Sequence, residues 1–148
     1  MVTGNESINV KKRKDRGTEP LNIEKIHEMV EYACEDITGV SSSQVEMKSG
    51  LQFYDGITTD EIQQILVKSA ADLIDLNNPN YTYVASRLLL YSLRKQVIHK
   101  LWDHPHFYDH VKKVVEMGLY DKEIFDNYQR KDFDRMENWL NHERDYTF

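Results

Sequence analysis

A group of basic residues beside a predicted helix start is the part of this chain with the clearest chemistry. Residues 10–14 are mostly basic, and Lys25 follows on the next predicted helix. Asn22 precedes that helix and suits the N-cap position, because its side chain can accept from an orphan backbone N–H. A helix N-terminus carries partial positive charge and free donors, so it favours an anion. Lys12, Arg13 and Lys25 around such an end therefore predict a polyphosphate site, whereas a solvated basic arm is the simpler alternative.

Two later helices carry polar pairs at one-turn spacing. Thr59 is followed by Gln63, and Tyr91 by Lys95, so the members of each pair share a helix face. If the two faces meet beneath the basic segment, they would enclose a base and its phosphates. Lys95 would then be a point charge on phosphate and Thr59 a hydroxyl partner. The alternative is surface polar residues beside a core tyrosine.

The elements that must position these residues can be read from turn signals and periodicity. Short extended arms around Asp15-Arg16-Gly17 predict a hairpin, and Pro20 suits an edge strand because it lacks a backbone donor. Apolar spacing and capping signals predict helices over residues 23–37, 41–56, from 58 on, and 81–100. In the second helix we expect Leu51 and Tyr54 to face inward and Gly56 to end it.

Pro105 marks a boundary, beyond which three shorter helical segments are predicted. They span residues 107–117, 122–128 and 131–142, and Gly118 stops the first. His104, His106 and His110 resemble a metal cluster, but no further ligand pattern accompanies them, so we predict no metal site.

Composition limits the function classes. At 148 residues the chain supports one compact domain with a short appendix. A net charge of −6 argues against general nucleic-acid binding. No apolar run is long enough to span a bilayer and no signal-peptide pattern begins the chain, so we expect a cytoplasmic protein without membrane contact. The single cysteine, Cys34, excludes an internal disulfide, and its apolar neighbours predict a buried, inert thiol.

Seven fragments, in chain order, resemble the ATP-cone, the allosteric nucleotide-binding domain of ribonucleotide reductase large subunits. The likeness is greatest to the aerobic, diiron-dependent class and covers nearly the whole chain. The fragments are Thr18-Glu19-x-x-Asn22-Ile23-x-Lys25-Ile26, Gln52-Phe53-Tyr54-Asp55-Gly56-Ile57-x-Thr59, Lys68-x-Ala70-Ala71-Asp72-Leu73-Ile74, Pro79-x-Tyr81-x-Tyr83-x-Ala85-x-Arg87-Leu88, Leu93-Arg94-Lys95, Tyr108-Asp109-His110-Val111 and Val115-Glu116-Met117-Gly118-x-Tyr120-Asp121.

This resemblance implies a mainly α (α+β) fold, with a small β-hairpin cap on a four-helix cone and a short helical appendix. It implies an N-terminal tail over residues 1–9, the cone over 10–102, and the helical start of the reductase catalytic domain over 103–148. Because that start packs on a much larger body in the family, we expect Phe133 and Trp139 to be exposed here.

The resemblance also implies a ligand and its contacts. The ligand is ATP or dATP, with or without Mg²⁺, acting as an allosteric effector. The partners are the rest of the large subunit and the radical-bearing small (beta) subunit. The implied contacts are Val10, Lys12, Arg13, Glu19, Asn22, Lys25, Thr59, Gln63, Tyr91 and Lys95, with a ribose or base contact at Glu19. Gln63 stands where close relatives have histidine, and the turn after Arg13 is one residue longer than usual.

Catalysis is not expected from this chain. Ribonucleotide reduction as the family performs it needs a thiyl-forming cysteine and a redox-active cysteine pair, which Cys34 alone cannot supply. One alternative function is nearly excluded. Reductase-gene repressors share the cone, but they carry a four-cysteine zinc ribbon upstream, and the nine residues before Val10 contain no cysteine. A helical adaptor that has lost its ligand and serves only for protein contact is the other alternative.

Overall fold

The computed structural model describes residues 8–12, 17–98 and 104–144. These residues form two compact units, one up to Leu93 and one from Arg94 on. The domain boundary expected at residues 102/103 falls outside the described residues and stays a prediction. Within the described ranges, no helix combines the length and the apolar character needed to cross a membrane.

A small three-stranded sheet opens the first unit. Strand β1 (Asn9–Lys11) pairs antiparallel with β2 (Thr18–Pro20) and parallel with β3 (Ile57–Thr58), in the order β2-β1-β3. The predicted hairpin is confirmed, with Pro20 on an edge strand as expected. The sequence did not indicate β3, because a two-residue strand has no alternation to recognise.

Helix α1 spans Ile23–Cys34 and begins where the sequence predicts. The Asn22 side chain accepts from the Lys25 N–H at 3.0 Å, and Ile26, Val30 and Ala33 are buried. The helix ends three residues earlier than predicted, because Asp36 takes a left-handed conformation with φ 59°. There the Arg87 guanidinium donates to the Glu35 carbonyl at 2.6 Å and closes the helix end.

Helix α2 (Ser42–Gly50) is shorter than predicted, and two of its expected inward residues are exposed. Leu51 is 85% exposed and Tyr54 51%, so the prediction that they face the core is wrong. The helix ends at Gly50, whereas Gly56 forms the turn before β3 with φ 82°. Ser41 occupies the N-cap without a capping side-chain bond, and its N–H donates to the Tyr81 hydroxyl at 3.0 Å.

Helices α3 (Thr59–Ala71) and α4 (Tyr81–Val97) complete the first core. A capping box of Thr58 and Glu61 is present at the start of α3, where the sequence predicts that the third helix begins. The buried core residues are Val10, Ile26, Val30, Ala33, Val45, Ile57, Ile62, Leu66, Ala70, Tyr81, Val84 and Leu88.

The second unit contains α5 (Phe107–Glu116), α6 (Glu123–Asn127) and α7 (Arg130–Glu137). Phe133 is only 1% exposed, so the prediction of an exposed Phe133 is wrong, whereas Trp139 is exposed as expected. The reason is an aromatic cluster within the unit, in which Phe107, Tyr108 and Phe125 pack on Phe133 with ring centroids 5.5–5.9 Å away.

Gly56 generates the first prediction. A side chain at φ 82° is strained although there is space for it, so Gly56→Ala should lower the free energy of unfolding by about 1–2 kcal/mol. Urea denaturation followed by circular dichroism measures this. Gly50→Ala is the matched control. Gly50 lies at a helix end, its φ is not positive, and no atom lies within 4 Å of the added Cβ. Equal stability of Gly56→Ala and the parent would contradict the strained turn.

His27 generates a second prediction, on pH. Its Nδ1 lies 2.9 Å from Glu46 on α2 and its Nε2 3.2 Å from Glu31 on α1. The hydrogen bond with Glu46, followed by the charge of Glu31, raises the pKa of His27 above its ordinary 6.5. A raised folded-state pKa adds stability that is fully present below pH 6.5 and is lost as the pH rises through the folded-state value.

His27→Gln should therefore be less stable than the parent at acidic pH, and the difference should shrink as the pH rises into the alkaline range. Melting temperatures across that range measure it. His110→Gln on α5 is the control, because no carboxylate hydrogen bonds to that ring within the described residues. A His27→Gln deficit that does not change with pH would show that the ring contributes only through packing.

Candidate functional site

Three of the candidate residues lie on one face of the hairpin. Val10 and Lys12 are two positions apart, so their side chains point to the same side of β1, and Glu19 lies opposite Val10 in the antiparallel pair. The ladder continues beyond the strand, because the Lys12 N–H donates to the Gly17 carbonyl at 3.0 Å. Val10 is buried in the core, so this face is the inner one, turned toward the helices.

Charge concentrates on that inner face. The Lys12 ammonium forms an ion pair with the Glu19 carboxylate, and both side chains are partly exposed. Lys12, by its hydrogen bond and its charge, and Lys25, by its charge, hold the pKa of Glu19 below its usual range. The structure thus brings together two cations and one carboxylate.

The start of α1 contributes the next two candidates. Asn22 caps the helix through its side-chain oxygen, and Lys25 lies in the first turn with its side chain exposed. The N-terminal dipole and the Lys25 charge therefore act in the same direction, and both favour an anion near Glu19. Arg13 lies outside the described residues.

The α3 candidates have different surroundings. Thr59 is the first residue of α3 and partly exposed, and its neighbour Thr58 pairs with Lys11 of β1. Gln63, one turn further, is only 5% exposed, and its side-chain amide donates to the Leu88 carbonyl of α4 at 3.0 Å. The Gln63 donor is thus engaged in joining two helices.

The α4 candidates also differ from each other. Tyr91 is buried and packs edge-on against Tyr32 of α1, with ring centroids 5.5 Å apart. Lys95 lies one turn further, in the last turn of α4, and is exposed. Lys95 falls in the unit that begins at Arg94, whereas the other described candidates fall in the first unit.

A set of hydrogen bonds beside the site was missed by sequence reasoning. The Asp55 carboxylate accepts from the Asn9 backbone N–H at 2.8 Å and from its side-chain amide at 2.9 Å. The Tyr54 hydroxyl donates to Glu61 at 2.9 Å. The available signal was the Asp55-Gly56 turn, which was instead interpreted as the end of a helix.

Other reactive groups have ordinary explanations. Cys34 is partly rather than fully buried, and burial raises the pKa of its thiol to about 11, so the unreactive protonated form prevails at neutral pH. His106 hydrogen bonds to Glu137 at 2.9 Å, and His104 stacks on His142 with centroids 4.0 Å apart. Within the described residues, no cluster of three or more His, Cys, Asp or Glu side chains is arranged to hold a metal ion.

Comparison with known proteins places this geometry in a family. Residues 8–96 match the model of the ATP cone domain. The chain is 44% identical over 144 residues to the alpha subunit of ribonucleoside-diphosphate reductase 1 from Escherichia coli. It is also 44% identical to the alpha subunit from Haemophilus influenzae and 40% identical to that from Helicobacter pylori.

These matches cover 95–97% of this chain but only 17–19% of each relative. The cone model, by contrast, covers more than half of the chain and includes the sheet, α1 to α3 and almost all of α4. The hairpin, the capped helix start and the basic inner face all lie within that match. The chain therefore belongs to the ATP-cone family.

Proposed function

We propose that the chain is a regulatory module of a ribonucleoside-diphosphate reductase large subunit, and that it binds ATP and dATP. The observation that carries the proposal is the inner hairpin face, where Lys12 and Glu19 lie beside the dipole of α1 and the charge of Lys25. A cationic cluster at a capped helix start suits a nucleotide polyphosphate better than it suits any extended polymer.

Nucleotide binding would change the partners of this cluster. In the structure, Lys12 pairs with Glu19. A polyphosphate, with its several negatively charged oxygens, would offer Lys12 an alternative charge-assisted partner. Glu19, once released, is a carboxylate that accepts hydrogen bonds only, and a ribose hydroxyl supplies the donor it needs. Mg²⁺ would accompany the phosphates of the nucleotide.

The remaining candidates complete the proposed site. The backbone at Val10, the Asn22 side chain and Thr59 would border the ligand, with Arg13 and Lys95 as further cations. Gln63 and Tyr91 are buried, so they would form its floor. Gln63 retains an amide oxygen that can accept a hydrogen bond while its NH₂ group holds the Leu88 carbonyl.

The wider role follows from the relatives. We infer that residues 103–148 are the helical start of the catalytic domain and that the cone spans residues 10–102. ATP would activate and dATP would inhibit the reductase by changing how the large subunit associates with its radical-bearing small subunit. Ribonucleotide reduction itself would take place in another part of the large subunit.

A ligand-free adaptor is the second candidate function. The Lys12–Glu19 ion pair is compatible with an adaptor, because a cone without a ligand would keep this pair closed. Nucleotide binding discriminates between the two functions.

Calorimetric titration tests the proposal directly. ATP and dATP should each give saturable heat, and guanine and pyrimidine nucleotides should bind much more weakly. Ligand at about a hundred times its dissociation constant should also raise the free energy of unfolding by about 2.7 kcal/mol. Absence of saturable heat and of any melting shift with both adenine nucleotides would favour the adaptor.

Lysine substitutions test the phosphate contacts. Lys25→Ala and Lys95→Ala should each weaken binding roughly ten- to hundred-fold, since a charge-assisted contact contributes about 1.5–3 kcal/mol. The backbone cap at residue 25 survives the change, because Asn22 bonds the main-chain N–H. Lys68→Ala, an exposed lysine at the other end of α3, removes the same charge and serves as control. If Lys25→Ala or Lys95→Ala binds ATP as tightly as Lys68→Ala does, the replaced lysine is not a phosphate ligand.

A further inference from the structure

We propose that Asp55 is a positioning residue for the nucleotide site, which it serves by holding β1 in register against the turn that leads into α3. The inference rests on the proposed function and assigns a role to the motif that contains Asp55 and Gly56. Asp55 would contact the protein backbone and not the ligand.

Three hydrogen bonds join β1 to this turn. The Asp55 carboxylate accepts from the Asn9 backbone N–H at 2.8 Å and from the Asn9 side chain at 2.9 Å. The Gly56 N–H donates to the Asn9 carbonyl at 2.8 Å. Asn9 is the first residue of β1, so these bonds fix the point at which the strand enters the sheet.

The strand pairing alone is too short to hold this register. β1 contains three residues and its parallel partner β3 only two, matched as Val10 with Ile57 and Lys11 with Thr58. Small strand pairs are marginal without additional support, and a slip of one residue would turn Val10 and Lys12 to the other face. Asp55 supplies that support from 46 positions away in the chain.

The same turn is also tied to α3. The Tyr54 hydroxyl donates to the Glu61 carboxylate at 2.9 Å, and Glu61 accepts from the Thr58 N–H at 2.8 Å in the capping box. Tyr54, Asp55 and Gly56 thus connect β1, which Lys12 directly follows, to the helix start that carries Thr59. Because the turn is bonded to both β1 and the start of α3, these hydrogen bonds resist a shift of one element relative to the other.

Asp55 acts from the face opposite to the ligand. Asn9 and Lys11 alternate with Val10, so they lie on the outer face of β1. The charge of Lys11, after the hydrogen bonds from Asn9, helps to lower the pKa of Asp55, which is consistent with that outer position. The Asn9 side chain that Asp55 contacts therefore lies on the face of β1 opposite to Val10.

Three variants test the role by calorimetric titration with ATP at a temperature where circular dichroism shows each to be folded. Asp55→Ala should weaken ATP binding roughly ten- to hundred-fold, because it removes a carboxylate that accepts two hydrogen bonds. Asp55→Asn keeps an accepting oxygen and should bind within about three-fold of the parent. Asp75→Ala is the matched control, because among the described residues Asp75 accepts hydrogen bonds only from its neighbours Asn77 and Asn78, so ATP affinity should be unchanged.

Amide hydrogen exchange of the ligand-free protein provides a second measurement if Asp55→Ala proves too unstable to titrate. Asn9→Ala removes one of the two donors and should speed exchange over residues 8–12, whereas Asp75→Ala should not. A parent that binds no ATP overturns the proposed function and this role with it. A parent that binds ATP, with Asp55→Ala binding equally well or Asn9→Ala exchanging like the parent, overturns the role of Asp55 alone.

Discussion

The first unit depends on β1 pairing with both of its neighbours. The antiparallel pair sets Glu19 opposite Val10, and the parallel pair sets the start of α3 beside Lys11. Val10 and Ile57 are both buried, so the hydrophobic core stabilises the same register that the hydrogen bonds specify. The inner face of the hairpin and the start of α3 therefore share one reference element, although the residues come from distant parts of the chain.

The ion pair on that inner face contributes little to stability, and Lys12 can exchange its Glu19 partner for an anion. The Lys12–Glu19 ion pair is partly exposed, and water screens such a pair, so it adds little net stability. Opening it costs little, so an anion that offers Lys12 a better partner meets a small barrier. The cluster also lies in a chain with a net charge of −6, so its positive potential is local. This restricts the proposed ligand to a small anion.

The second unit shows how a short segment covers its own aromatic side chains. Phe133 is enclosed by rings from α5 and α6, and the Glu137 carboxylate of α7 accepts from the backbone N–H of Phe107 at the start of α5. Trp139 and Leu140 nevertheless remain exposed. An exposed tryptophan agrees with the proposal that this segment packs against the rest of a larger protein. The chain spans less than a fifth of the length of its relatives.

Local signals in the sequence determined where helices start and which faces are apolar, because caps and periodicity involve residues a few positions apart. Asn22 and the Thr58–Glu61 box were predictable for this reason, and the ordered motifs identified the family. Only the tertiary structure decided the presence of β3, the burial of Gln63 and the bonds of Asp55. Gln63 meets the Leu88 carbonyl 25 residues away and Asp55 meets Asn9 46 residues away, and such pairings follow from packing that no local pattern encodes.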